Sequence, residues 1–162
     1  MIRLPKSLAG AAGAFLFASG LAVAGPGGAG HAHDEEAAYG KPGDPKKPAR
    51  MVPVAMKEAS GKMLFFPDKV EVKRGEQVRF KLQNSGELEH EFVIGTVEEN
   101  AKHKVAMEKN PDMEHDDPNA KRLQPKKADE IVWQFTNAGT FEYACLIPGH
   151  YEAGMKGTVV VK

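Results

Sequence analysis

One short segment of this 162-residue chain concentrates the side chains that do chemistry: Cys145-Leu146-Ile147-Pro148-Gly149-His150-Tyr151-Glu152-Ala153-Gly154-Met155. Reduced to donors it is a thiol, an imidazole four residues further on and a thioether after four more. Thiolate, imidazole and thioether are the soft and borderline ligands that favour copper, and a His₂Cys set with a weak axial Met defines a one-electron copper site. A Cys-x₄-His pair alone would be a weak signal. The added Met and the Pro/Gly turn chemistry between the donors make it a strong one. Cys145 is also the one cysteine in the chain, so it has no internal disulfide partner. A lone thiol in an oxidising compartment calls for a reason, and metal ligation is one.

Such a loop must hang between two strands, and the second imidazole must come from a neighbouring one. The segment before Cys145 reads as a strand from Thr140 to Ala144, and the chain closes on a β-branched run from Thr158 to Val161. His90 opens the strand predicted over Glu91–Thr96, which places it at a strand end able to face the Cys145 loop. Alone, His90 would read as an ordinary strand-end histidine. Beside the Cys–His–Met loop it becomes the missing ligand.

The rest of the chain supplies the frame. Val52, Val54 and Met56 alternate, as do Val70 and Val72, and Val78, Phe80 and Leu82 alternate with Gln77, Arg79, Lys81 and Gln83. That period of two marks half-buried antiparallel strands. Turn signals at Ser60-Gly61, Pro67-Asp68, Arg74-Gly75 and Asn84-Ser85-Gly86 separate them. Trp133, Phe135, Phe141 and Tyr143 alternate with polar residues and read as core. Residues 97–127 differ. Helix formers run from Glu98 to Lys109, with Val97, Ala101 and Val105 spaced as on one helical face, and Pro111, Pro118 and Pro125 punctuate a polar segment. Seven or so strands with one small helical insertion predict an all-β Greek-key sandwich over residues 51–162.

Two segments precede that domain. Residues 1–24 carry Arg3 and Lys6, an apolar stretch from Leu8 to Ala24, and Ala22-Val23-Ala24 as a cleavage site. They read as a signal peptide removed on export, too short and too rich in Gly and Ala for a membrane span. Residues 25–50, rich in Gly, Pro, Lys and Ala, read as a flexible tail holding His31 and His33 beside Asp34, Glu35 and Glu36. Charge is balanced at 22 basic and 22 acidic side chains, which argues against a nucleic-acid binder.

The Cys145–Met155 loop, the strand before it and His90 resemble the ligand pattern of the cupredoxins, the group that includes azurins, auracyanins and plastocyanins. The stretches Glu89-His90-Glu91-Phe92-Val93-Ile94-Gly95 and Met113-Glu114-His115-Asp116-Asp117-Pro118-Asn119 narrow the likeness to a periplasmic, bacterial subgroup associated with copper tolerance. The resemblance covers about the last 110 residues. It implies a single copper ion with His90, Cys145 and His150 as equatorial ligands and Met155 as the axial one. It also implies electron transfer, copper tolerance or both, a redox partner protein such as a cytochrome or a copper enzyme, and a monomer free of the membrane. One position departs from the pattern. Many cupredoxins place Asn or Ser after the first His, where it ties the two ligand loops together; here that residue is Glu91.

Weaker candidates surround this set. His31 and His33 are a metal-binding cue or a solvated tail. Met107, Met113 and His115 form either a second copper cluster or, for Met107, packing under the insertion. Leu146, Ile147, Pro148 and Tyr151 either form an apolar docking patch around His150 or pack the loop. Enzyme chemistry of the copper oxidase or nitrite reductase kind needs a second copper centre and further domains. A binuclear copper centre or Cys-x-x-Cys exchange needs two cysteines, and structural zinc rarely uses Met. The rival to electron transfer is a copper-sequestering or copper-delivery protein with no shuttle role.

Overall fold

The computed structural model describes residues 36–111 and 117–162. The residues expected to be a signal peptide, His31 and His33, and Met113 and His115 all lie outside the described residues. The described chain forms ten strands and one helix: β1 (Lys41–Pro42), β2 (Arg50–Ala59), β3 (Lys62–Phe66), β4 (Lys69–Val72), β5 (Gln77–Asn84), β6 (His90–Gly95), α1 (Val97–Lys109), β7 (Ala120–Leu123), β8 (Ala128–Gln134), β9 (Gly139–Ala144) and β10 (Lys156–Val161). They build two five-stranded sheets, in the orders β1-β8-β5-β2-β3 and β4-β10-β9-β6-β7. Pairing is antiparallel except for β2 with β5 and β10 with β4.

Alternation in the sequence becomes the core. The inward faces of β2 (Val52, Val54, Met56), β5 (Val78, Phe80, Leu82) and β8 (Ile131, Trp133) are buried in one core with Phe92, Phe141, Tyr143, Val159 and Val161 of the other sheet. The Phe92 and Tyr143 rings stack at 5.0 Å, and Phe65 meets both edge-on. Burying such side chains stabilises the fold by roughly 1.5–3 kcal/mol each.

Three expectations are corrected. The insertion spanning 97–127 is not wholly helical and irregular: Ala120–Leu123 adds a strand beside β6, in register from His90↔Leu123 to Val93↔Ala120. Pairing with an open sheet edge, rather than local propensity, makes Ala-Lys-Arg-Leu a strand.

The helix does not bury Val97, Ala101 and Val105. Val97 and Val105 are exposed, and the buried residues are Asn100 and Met107. Thr96 caps α1: its Oγ1 accepts the Glu99 N–H, and the Glu99 carboxylate accepts the Thr96 N–H. Asn100 donates to the buried Glu142 carboxylate on β9, so a polar anchor fixes which face turns inward. Met107 packs with Val93, Ala120, Ala144 and Leu146. That cover is why β6 is buried on both faces.

The packed chain also begins before Met51. Residues 36–50 are not a free tail: β1 pairs with β8, and Tyr39 is buried with its ring stacked on Trp133 at 5.3 Å. The Trp133 indole donates to the Tyr39 carbonyl, and Asn119 donates to the Tyr39 hydroxyl. One aromatic residue, held at its backbone carbonyl and at its hydroxyl, anchors a segment otherwise too polar to pack.

Candidate metal centre

Adjacent strands β6 and β9 run antiparallel, pairing Val93 with Ala144. His90, at the start of β6, and Cys145, one residue beyond β9, therefore arrive at the same end of the sandwich. The loop from Cys145 to Met155 joins β9 to β10, which are themselves paired. Its two feet are clamped together, the Cys145 N–H donating to the Met155 carbonyl at 3.0 Å.

Turn chemistry inside the loop aims His150 inward. The His150 N–H donates to the Ile147 carbonyl at 3.0 Å. Pro148 and Gly149 fill the central positions of that turn, and Gly149 has φ +86°, as a type II turn requires of its third residue. The Met155 N–H then donates to the His150 carbonyl, so Met155 is fixed relative to both other donors of the loop.

The result is a buried group of three donors. One ring nitrogen from each of His90 and His150 and the Sγ of Cys145 all lie within 4.8 Å of one another. His150 Nδ1 is 3.3 Å from both Cys145 Sγ and His90 Nδ1. Cys145, His90 and Met155 are fully buried and His150 is 9% exposed. His90, Cys145 and His150 thus form one buried group, and Met155 is tied to Cys145 and His150 through its backbone.

The electrostatics suit a metal rather than three protons. Burial pushes the Cys145 thiol up to about 12. Burial lowers both imidazoles as well, with mutual repulsion adding to the effect at His150 and Glu58 opposing it at His90. The empty site is therefore uncharged: its neutral imidazoles keep lone pairs for a metal, and its thiol gives up a proton to ligate one. Two borderline nitrogens, one soft sulfur and an adjacent thioether residue are a donor set that copper fits.

Around these donors lies a ring of contacts. The Glu91 N–H donates to Cys145 Sγ, and the Glu91 carboxylate accepts the Leu146 N–H, both at 3.3 Å. Burial raises that carboxyl to about 7, against the lowering effect of the Leu146 N–H and Arg122. Two further residues escaped the sequence reading. Glu58 Oε1 lies 2.8 Å from His90 Nε2; burial alone would raise its carboxyl, but the N–H groups of Glu87 and Leu88 and the His90 ring bring it down to about 2. Asn84, fully buried, donates to the carbonyls of Leu88 and Leu123 and accepts the Gly86 N–H. Each continues the inward face of its strand, Glu58 after Val52, Val54 and Met56, and Asn84 after Val78, Phe80 and Leu82. A polar residue ending an apolar register was the available signal.

The family described as copper binding proteins, plastocyanin/azurin family, matches residues 52–162. The chain belongs to that family. Its relatives include the copper-resistant cuproprotein CopI of Rubrivivax gelatinosus, 52% identical over 132 residues, which span 82% of this chain and 78% of that one. A protein of the same name from Pseudomonas aeruginosa is 36% identical, across 77% of this chain and 83% of its own. The solved structure of auracyanin B overlays 72% of this chain and 91% of its own with a TM-score of 0.58 at 28% identity. This cupredoxin therefore has the expected all-β sandwich and takes copper as its metal.

Other candidates settle differently in the cupredoxin frame. Met107 is fully buried and packs with apolar side chains. Leu146 joins that same cluster and belongs to no docking patch. Ile147 and Tyr151 are part-buried, and Pro148 is exposed beside His150. Leu88, two residues before His90, adds 45% exposure to the surface of its loop. Among the described residues, no helix is long and apolar enough to cross a membrane.

Proposed function

We propose that this protein is a periplasmic electron-transfer and copper-tolerance protein holding one copper ion through His90, Cys145, His150 and Met155. The observation that carries this reading is the convergence of two imidazole nitrogens and a thiol sulfur within 4.8 Å in a buried pocket. Copper bound there supplies a one-electron couple: copper is reduced as a partner's centre is oxidised, or the reverse. The chain's own residues do the rest. Two paired strands and the hydrogen-bonded loop fix the donors, so little has to move when the charge of the site changes. Leu146 and Met155 exclude water, and Pro148 and Ile147 bring the surface closest to His150. A redox protein such as a cytochrome or a copper enzyme docks there, and the protein acts as a monomer without catalysis of its own. The leader-like composition of residues 1–24 supports export.

The copper-resistance name of the relatives favours protection of the envelope, while a His₂Cys set with Met favours redox work. Sequestration without shuttling is the second reading. A deletion strain complemented with wild type or with Cys145→Ser separates these from an unrelated role: wild type restores growth at high copper and the variant does not. Reoxidation of the Cu(I) protein by a periplasmic extract then distinguishes shuttle from store. Equal rescue by Cys145→Ser would remove the site from the function.

A further inference from the structure

Glu58 is built into its place by three independent features. Its carboxylate accepts the backbone N–H groups of Glu87 and Leu88, each at 3.0 Å, in the loop that leads into His90. Its Oε1 lies 2.8 Å from His90 Nε2. Gly86 makes room for it: a Cβ there would stand 2.4 Å from Glu58 Oε2. A carboxylate oxygen bound this way only accepts, so Nε2 of the neutral His90 ring must carry the proton. Its Nδ1 is then the bare nitrogen, and Nδ1 is the atom that faces His150 Nδ1 at 3.3 Å. Glu58 thus reaches the donor group from β2, in the opposite sheet from β6.

We infer that Glu58 is a positioning residue for the metal centre, holding His90 with Nδ1 toward Cys145 and His150 and lowering the copper reduction potential with its negative charge. This rests on the reading that copper sits among His90, Cys145 and His150. A carboxylate bonded to the far nitrogen of a ligating histidine fixes its tautomer, orients the ring and raises its basicity. Negative charge beside the metal favours Cu(II), the more positive state, and so opposes reduction. The sequence contains no local hint of this pairing, since 32 residues separate the partners.

Two substitutions test the inference by different routes. Glu58→Gln keeps an acceptor for His90 but removes the charge, and Gly86→Ala leaves Glu58 in the sequence while its Cβ pushes the carboxylate away. Redox titrations of the copper-loaded full chain, followed at the thiolate-to-copper band, should show a higher midpoint potential in both variants than in wild type. Nitrogen NMR of the diamagnetic Cu(I) protein should show His90 protonated at Nε2 in wild type and in Glu58→Gln. An intact band with an unchanged or lowered potential in Glu58→Gln, or His90 protonated at Nδ1, would overturn the role of Glu58 alone. Absence of the band from the wild-type protein would overturn the metal site and this inference with it.

Discussion

The carboxylate of Glu91 accepts the backbone N–H of Leu146 at 3.3 Å, joining the residue after the first histidine to the residue after the cysteine. The Glu91 N–H, aimed at Cys145 Sγ at the same distance, completes a two-point tie between the ligand segments. Glutamate at this position, a departure from the commoner Asn or Ser, therefore preserves the connection. Glu91→Ala should weaken copper binding by about 10–100-fold, and Glu91→Gln, which keeps an acceptor, should recover most of that. Competition against a chromophoric Cu(I) chelator measures both, and wild-type affinity in Glu91→Ala would show that the tie is idle.

Copper uptake should depend on pH in a definite direction. The empty site at neutral pH holds a protonated thiol, because burial pushes Cys145 up to about 12, and neutral imidazoles, because burial lowers both rings. Binding as thiolate releases one proton. Affinity should therefore rise about tenfold per pH unit between roughly pH 7 and 9. Cys145→Ser should flatten that slope, and a flat profile in the wild type would mean that Cys145 is not a ligand.

Tyr39 should matter to stability and not to the metal. Its ring stacks on Trp133 near the ends of β8 and β6 remote from His90. Tyr39→Ala should cost about 3 kcal/mol, read as a lower denaturant midpoint, with the copper spectrum unchanged. A variant as stable as wild type would return residues 36–50 to the status of a loose tail.

Met107→Ala separates packing from ligation. Emptying its place among Val93, Ala120, Ala144 and Leu146 should destabilise the protein by about 2–5 kcal/mol and leave one copper per chain. Loss of a bound copper without loss of stability would make Met107 a ligand instead.

What the sequence made legible was what lies close together in it. Cys145, His150 and Met155 share one loop, and the turn Ile147–His150 is written in Pro148-Gly149, so their convergence could be read directly. His90 required only that a strand end face that loop. The alternating residues of β2, β5 and β8 likewise carried the sandwich. What stayed hidden depends on distant pairing. Glu58 meets His90 because β2 and β6 lie in facing sheets, and Ala120–Leu123 is extended because β6 offers an edge. Asn100 turned the helix through a buried partner on β9, a contact that apolar spacing cannot report. Tyr39 is one aromatic in a Gly/Pro/Lys-rich stretch, where average composition conceals a single anchor.

The most direct test is the visible absorption of the protein titrated with Cu(II), beside Cys145→Ser. An intense thiolate-to-copper charge-transfer band should appear, saturate at one ion per chain and be missing from the variant. Copper uptake without that band, or a band that survives in Cys145→Ser, would contradict the assignment of His90, Cys145 and His150 as the metal site.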